Sequence, residues 1–207
     1  MKKKMIKIGI VVGSVVAVLG TAAFVWSQTI PSNPWERDTA WQAPVDFKYG
    51  GIFAELNGDG LPDILLARDA RGAATGAVLR AAYINNGKKG WVEDSRWTPP
   101  QGITFYDSAA VQPSGSVPVD INGDGLTDIV RSDEHTKLVY LNTGEGWEDK
   151  SEQWATWGGG HVIERGRDGG LRFQDLNGDG LVDAISSHRD PYNPDNIATW
   201  VYLNKGR

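Results

Sequence analysis

Asp120-Ile121-Asn122-Gly123-Asp124-Gly125-Leu126-Thr127-Asp128 puts oxygen-bearing side chains at positions 1, 3, 5 and 9 of a nine-residue frame, with glycine at position 6. The frame recurs as Glu55-Leu56-Asn57-Gly58-Asp59-Gly60-Leu61-Pro62-Asp63 and as Asp175-Leu176-Asn177-Gly178-Asp179-Gly180-Leu181-Val182-Asp183. A glycine there permits the sharp bend that turns the flanking oxygens toward one point. Asn-Gly and Asp-Gly are ordinary turn formers, but three aligned copies that each end in aspartate argue against a mere polar turn.

Nine carboxylates sit in the three frames: Glu55, Asp59, Asp63, Asp120, Asp124, Asp128, Asp175, Asp179 and Asp183. Two like charges ~4 Å apart repel by ~4 kcal/mol at an effective dielectric of ~20, so converging carboxylates ask for a cation. Oxygen donors select a hard ion, whereas zinc would want histidine or cysteine. Magnesium keeps its waters and a strict octahedron, and calcium accepts a bent loop. The expectation is up to three Ca2+, held by the side chains of Glu55, Asn57, Asp59 and Asp63, of Asp120, Asn122, Asp124 and Asp128, and of Asp175, Asn177, Asp179 and Asp183. The carbonyls of Leu61, Leu126 and Leu181 at position 7 would complete each set, with the leucine side chains turned inward. Glu55, longer than the aspartate in the other copies, loosens the first site. An EF-hand needs a bidentate glutamate at position 12, where this chain has Leu66, Arg131 and Ser186. Ile64-Leu65 and Ile129-Val130 favour strand over helix after the loop.

A second signature follows each loop: Tyr83-Ile84-Asn85-Asn86-Gly87, Tyr140-Leu141-Asn142-Thr143-Gly144 and Tyr202-Leu203-Asn204-Lys205-Gly206. Tryptophan pairs follow the first two, Trp91 with Trp97 and Trp147 with Trp154. The matching pair for the third is found at the other end, in Trp35-Glu36-Arg37-Asp38-Thr39-Ala40-Trp41, so the array is circularly offset. Trp35, Trp91 and Trp147 are spaced by 56 residues, which cuts units at about 35–90, 91–146 and 147–207. Each unit predicts four short strands: one into the loop, one out, the Tyr-x-Asn segment and the Trp-x-acid segment. The fold expected over 28–207 is therefore all-β, with three four-stranded, propeller-like blades and the N-terminal strand completing the last blade. Propellers have about four to eight blades, so a six-blade homodimer and a compact three-blade monomer stand as alternatives.

These frames resemble the calcium-binding blades of the FG-GAP and VCBS repeat family, related to integrin α-subunit propellers, over roughly residues 35–207. The resemblance implies loop ligands and a binding or adhesion role. The phenylalanine-glycine part of the family pattern is poorly matched, and three blades depart from the usual seven.

Residues 1–27 form an export signal or signal anchor, with Lys2, Lys3, Lys4 and Lys7 before an uncharged run from Ile8 to Trp26. As a hydrophobic helix, 19 residues span about 28 Å at ~1.5 Å each, close to a ~30 Å bilayer core. That length favours a membrane anchor, while Thr21-Ala22-Ala23 offers a cleavage site. The expected location is the outer face of the cytoplasmic membrane, or the periplasm or medium. Without those four lysines, 17 basic residues face 26 acidic ones, which excludes nucleic acid as a partner by charge. No cysteine is present, so metal or repeat packing must supply the constraint that disulfides give other exported domains.

No serine-hydrolase elbow, His-Glu-x-x-His pair or phosphate loop occurs. His135, His161 and His188 fall at different places in the repeat. Tryptophans that recur are assigned to blade packing, and Trp157 and Trp200, which do not, to ligand contact together with His161, Arg165 and Arg167. The expected function is a calcium-binding module for a protein or glycan, with no catalytic residue assigned. A propeller-based lyase or hydrolase, or a structural envelope subunit, is the alternative.

Overall fold

In each copy of the acidic frame the ninth residue is the first of a strand, in a computed structural model that describes residues 35–69, 78–107, 112–189 and 195–206. The expected export segment, 1–27, lies outside these residues. The chain divides into two units, 1–38 and 39–207.

β1 (Gly51–Ala54) enters the first loop and β2 (Asp63–Asp69) leaves it antiparallel, with Ala54 opposite Asp63. β3 (Val78–Asn85) and β4 (Trp91–Glu93) continue the up-and-down order. β5 (Tyr106–Asp107) pairs parallel with β2 and antiparallel with β6 (Gln112–Pro113), giving sheet 1 six strands where four were expected. Sheet 2 repeats the meander as β7 (Ser116–Val119), β8 (Asp128–Ser132), β9 (Lys137–Asn142) and β10 (Trp147–Asp149). A ribbon of β11 (Ile163–Glu164) and β12 (Arg167–Asp168) precedes sheet 3, made of β13 (Leu171–Gln174), β14 (Asp183–Arg189) and β15 (Ile197–Tyr202).

Sheet 3 corrects one expectation. It holds three strands among the described residues, and Trp35–Trp41 forms no strand, so the N-terminal segment does not complete the last blade here. Trp41 instead stacks on Trp91 of sheet 1, ring centroids 4.9 Å apart. Trp35 is 84% exposed, whereas Trp91 and Trp147 are half-buried.

Successive strand residues point to opposite faces, and the apolar pairs after each ninth-position aspartate use both. Ile64 and Leu65, and Ile129 and Val130, are fully buried, so at these positions both faces of β2 and β8 are covered. Between sheets 1 and 2 the core joins Ala54, Leu56, Leu65 and Ala82 to Ile129, with Trp97 driven into the seam. Between sheets 2 and 3 it joins Ile121, Val130 and Val139 to Leu171 and Ala184, with Trp157 in the corresponding gap. Trp97 also donates from Nε1 to Asn142 Oδ1 at 3.1 Å, tying the connection after sheet 1 to sheet 2.

Trp97→Ala therefore lowers the free energy of urea unfolding by about 3–5 kcal/mol, the usual cost of emptying a buried aromatic site.

Candidate metal centre

The loops are held by their own backbone amides. In all three, the glycines at positions 4 and 6 take left-handed φ between +76° and +86°, so the sequence signal at position 6 extends to position 4. In the second loop Asp120 accepts from Gly123 N (2.7 Å) through Oδ1 and from Gly125 N (2.9 Å) through Oδ2. Asp175 repeats both bonds with Gly178 and Gly180. Glu55 keeps one bond, to Gly58 N at 2.8 Å, so its longer arm does leave the first loop less tied. Position 3 accepts from the position-5 amide through Oδ1, and its Nδ2 donates to the position-5 carboxylate, as in Asn122 with Asp124 (2.8 Å). Position 5 in turn accepts from the position-7 amide, as Leu126 N to Asp124 Oδ1 (2.8 Å).

The ninth residue plays a different part from positions 1, 3 and 5. Asp63, Asp128 and Asp183 are fully buried. Asp128 accepts from Ile121 N (3.0 Å) at position 2 and from Asn142 N (2.7 Å) on β9. Asp63 does the same with Leu56 and Asn85, and Asp183 with Leu176 and Asn204. Burial pushes the Asp128 carboxyl up to about 7; its two amide donors oppose this, and the charges of Asp124 and Asp120 add to it. Burial likewise raises Asp63.

The asparagines of the second and third Tyr-x-Asn segments link their sheets to the preceding loop, which the sequence reading had not recognised. Asn142 Nδ2 donates to Leu56 O at 2.9 Å, and Asn204 Nδ2 to Ile121 O at 2.7 Å. Thr127 adds to the first seam by donating its amide to Glu55 O (2.7 Å) and accepting from Glu55 N through Oγ1 (2.8 Å). The signal was present as an invariant Asn after the aromatic strand, but its partner lies 86 residues away for Asn142.

The donor set is oxygen throughout and matches a hard cation. The ninth-position carboxylates nonetheless turn to backbone amides, and among the described residues no three acidic side chains stand together at metal-binding separation. Completing a site requires turning the half-buried side chains at position 1 together with those at position 3 and the exposed ones at position 5. The position-7 leucines do not face inward as expected. Leu61 is 37% exposed, while Leu126 and Leu181 lie against Gly58 and Gly123 of the preceding loop.

The residues singled out for ligand contact do not gather. Trp157 is buried against Phe173 (5.4 Å, edge-on) with the Lys137 ammonium 5.5 Å from its ring, which places it in the core and corrects its assignment to a ligand face. Trp200 stands on β15 with His188 4.9 Å away. His161 bridges to Gly170, with its Nδ1 buried and unbonded among the described residues. Arg165 lies between β11 and β12 at φ +47°, its amide on Glu134, and Arg167 is exposed on β12. A cleft of about 290 Å³ does open between sheets 2 and 3, lined by Trp154, Trp157, Phe173, Tyr202, Asn204 and Lys205 among others.

Fold and loops define an all-β repeat protein in which an acidic, amide-pinned loop recurs at each sheet seam. Residues 120–186 match the FG-GAP-like repeat model, and this segment, from the second loop to the middle of β14, is consistent with an FG-GAP-type repeat family. A solved lectin of Agrocybe aegerita, described as recognising non-reducing terminal N-acetylglucosamine, resembles the chain with a TM-score of 0.40 and 19% identity. The match covers 75% of this chain and 43% of the lectin, so the chain spans less than half of that protein. No curated protein matches.

Asp128→Ala leaves two buried amides without acceptors, each costing ~1–3 kcal/mol, so in chelator it lowers the unfolding free energy by about 2–5 kcal/mol. Asp124→Ala, an exposed position, costs under ~1 kcal/mol in the same buffer. Equal effects in the urea titrations would refute the division of roles between positions 5 and 9.

Proposed function

We propose that this chain is an exported, calcium-stabilised β-repeat module that binds a protein or glycan at the cell envelope. The observation that carries the reading is one loop built three times, each with a buried ninth-position aspartate, and burial raises the carboxyls of Asp63 and Asp128. In each loop the residues at positions 1, 3, 5 and 9, with the position-7 carbonyl, would hold the ion. Bound calcium would supply charge neutralisation where Asp120, Asp124 and Asp128, or their counterparts, repel one another. Because the same loops touch the next sheet, metal binding would add to folding stability.

The FG-GAP-like segment supports a binding or adhesion module in preference to an enzyme. The lysine-led apolar run before residue 27 supports export and an anchor facing outward.

Thermal melts of the detergent-solubilised full chain test the metal. Calcium raises Tm over chelator by the equivalent of ~2.7 kcal/mol per site at a hundredfold excess over Kd. The gain shrinks as acid protonates the ligands, and combined Asp59→Ala, Asp124→Ala and Asp179→Ala removes it. Superimposable melts with and without calcium would sink the reading. For the ligand, binding to arrayed oligosaccharides and envelope proteins is expected in calcium and lost in chelator.

A further inference from the structure

Each seam in this chain has two halves, and the array displays one unused half at each end. The following face of a sheet is built at three equivalent places. One is loop position 2: Leu56, Ile121 and Leu176. Another is the strand partner of the second apolar residue: Ala82, Val139 and Val201. The last is the residue before the Tyr-x-Asn asparagine: Ile84, Leu141 and Leu203. Where a next sheet covers them, Leu56, Ile121, Ala82 and Val139 are 0–4% exposed. On sheet 3, Leu176, Val201 and Leu203 are 45%, 50% and 44% exposed.

The polar half of the seam is open in the same place. Leu56 O and Ile121 O accept the asparagine amide of the following sheet, and among the described residues no amide reaches Leu176 O. Gly58 and Gly123 carry the leucine of the following loop against them, while a side chain built on Gly178 would meet nothing within 4 Å. Sheet 1 presents the complement. Asn204 Nδ2 serves both Val182 O and Ile121 O, whereas Asn85 Nδ2 serves only Pro62 O, the equivalent of the first. Leu61, the equivalent of Leu126 and Leu181, is 37% exposed.

A missing strand has its counterpart too. β15, Ile-Ala-Thr-Trp-Val-Tyr, is an uncharged edge strand in a three-stranded sheet, the kind of edge that recruits another strand. The segment Trp35-Glu36-Arg37 has the spacing of β4 and β10 and forms no strand in its own chain.

We infer that a second copy of this chain is the partner of these surfaces. Its Trp35–Arg37 adds to β15 as the fourth strand, and its sheet 1 docks on sheet 3, with the Asn85 amide on the Leu176 carbonyl. The contact is head-to-tail, and two such contacts close a ring of six sheets, within the range of propellers. The register follows from Asn85 opposite Trp91 and Asn142 opposite Trp147: Asn204 faces the partner's Trp35, and Leu203 faces the partner's Glu36. The inference rests on the seams alone and stands whether or not calcium binds.

The absence of cysteine makes the test clean. Full-length Glu36→Cys and Leu203→Cys chains, differently tagged, are co-expressed, solubilised and oxidised. Opposed residues on paired strands have Cα atoms ~4.5–5.5 Å apart, within disulfide reach. The expected product on a non-reducing gel is one covalent pair containing both tags, about twice the 22.5 kDa chain, absent when either variant is expressed alone. Light scattering of the wild type gives two chains, and Leu176→Glu with Val201→Glu gives one, with unchanged far-ultraviolet circular dichroism. If the double charge variant misfolds, the cross-link decides alone. A ladder of larger products would overturn two-copy closure. An internal disulfide in a double-cysteine chain of single-chain mass, or no cross-link between the co-expressed variants together with a wild type of single-chain mass, would overturn the partner.

Discussion

A relay of buried amide, carboxylate and carbonyl groups runs through every sheet, and the rest of the structure depends on it. It begins where Asn85 N meets Asp63, passes from Asp63 to Leu56 N, and leaves from Leu56 O to Asn142 Nδ2. Asn142 N then meets Asp128, Asp128 holds Ile121 N, and Ile121 O accepts from Asn204, whose amide meets Asp183. Each aspartate fixes its loop to its own sheet, and Asn142 and Asn204 fix their sheets to the loop before. An unpaired buried donor or acceptor costs ~1–3 kcal/mol, so sheets that slid past one another would lose several such bonds at once. Packing alone has no comparable directional demand.

The relay explains why the two sequence signatures travel together. The ninth-position aspartate was legible as a recurring carboxylate, and the reading assigned it to a cation with positions 1, 3 and 5. Its burial separates it from them. It is the fully buried acid of the loop and accepts an amide from a separate strand segment as well as from its own loop, whereas Asp59, Asp124 and Asp179 lie at the surface. The Tyr-x-Asn asparagine was legible only as part of a turn, since Gly87, Gly144 and Gly206 each donate to it two residues on. Its longer-range bond could not be seen in a local pattern, because the partner is a backbone carbonyl, which leaves no trace in residue identity.

Strand order within a sheet followed from the repeat, since alternating apolar residues and glycine turns are local. The parallel β2–β5 pairing was invisible, because it rests on a single register contact, Arg68 opposite Tyr106, in a segment with no counterpart in the other units. Trp157 was misjudged for a related reason. Lack of a repeat equivalent suggested a ligand role, but the longer connection before sheet 3 needs its own seam filler, and Trp157 fills the gap between sheets 2 and 3. A residue can be unique in a repeat because the connection is unique.

Why the circular offset should exist follows from the seams. A sheet whose fourth strand comes from elsewhere in the array cannot finish its edge until its neighbour is present, so edge pairing and face docking become one event. In sheets 1 and 2 the Trp-x-acid strand is followed directly by the segment carrying Trp97 or Trp154, which enters the next seam. Strand addition and seam filling are therefore covalently coupled. Trp35 and Trp41 carry the same spacing ahead of sheet 1, and there Trp41 is already seated on Trp91. The half of the device that acts on sheet 1 is engaged. Sheet 3 has the matching deficit: an uncharged edge, three exposed apolar residues and a loop carbonyl that the relay reaches without continuing. The same residue types that bury the internal seams are left at the two ends of the array, so the surface most in need of cover and the segment best shaped to cover it belong to one chain.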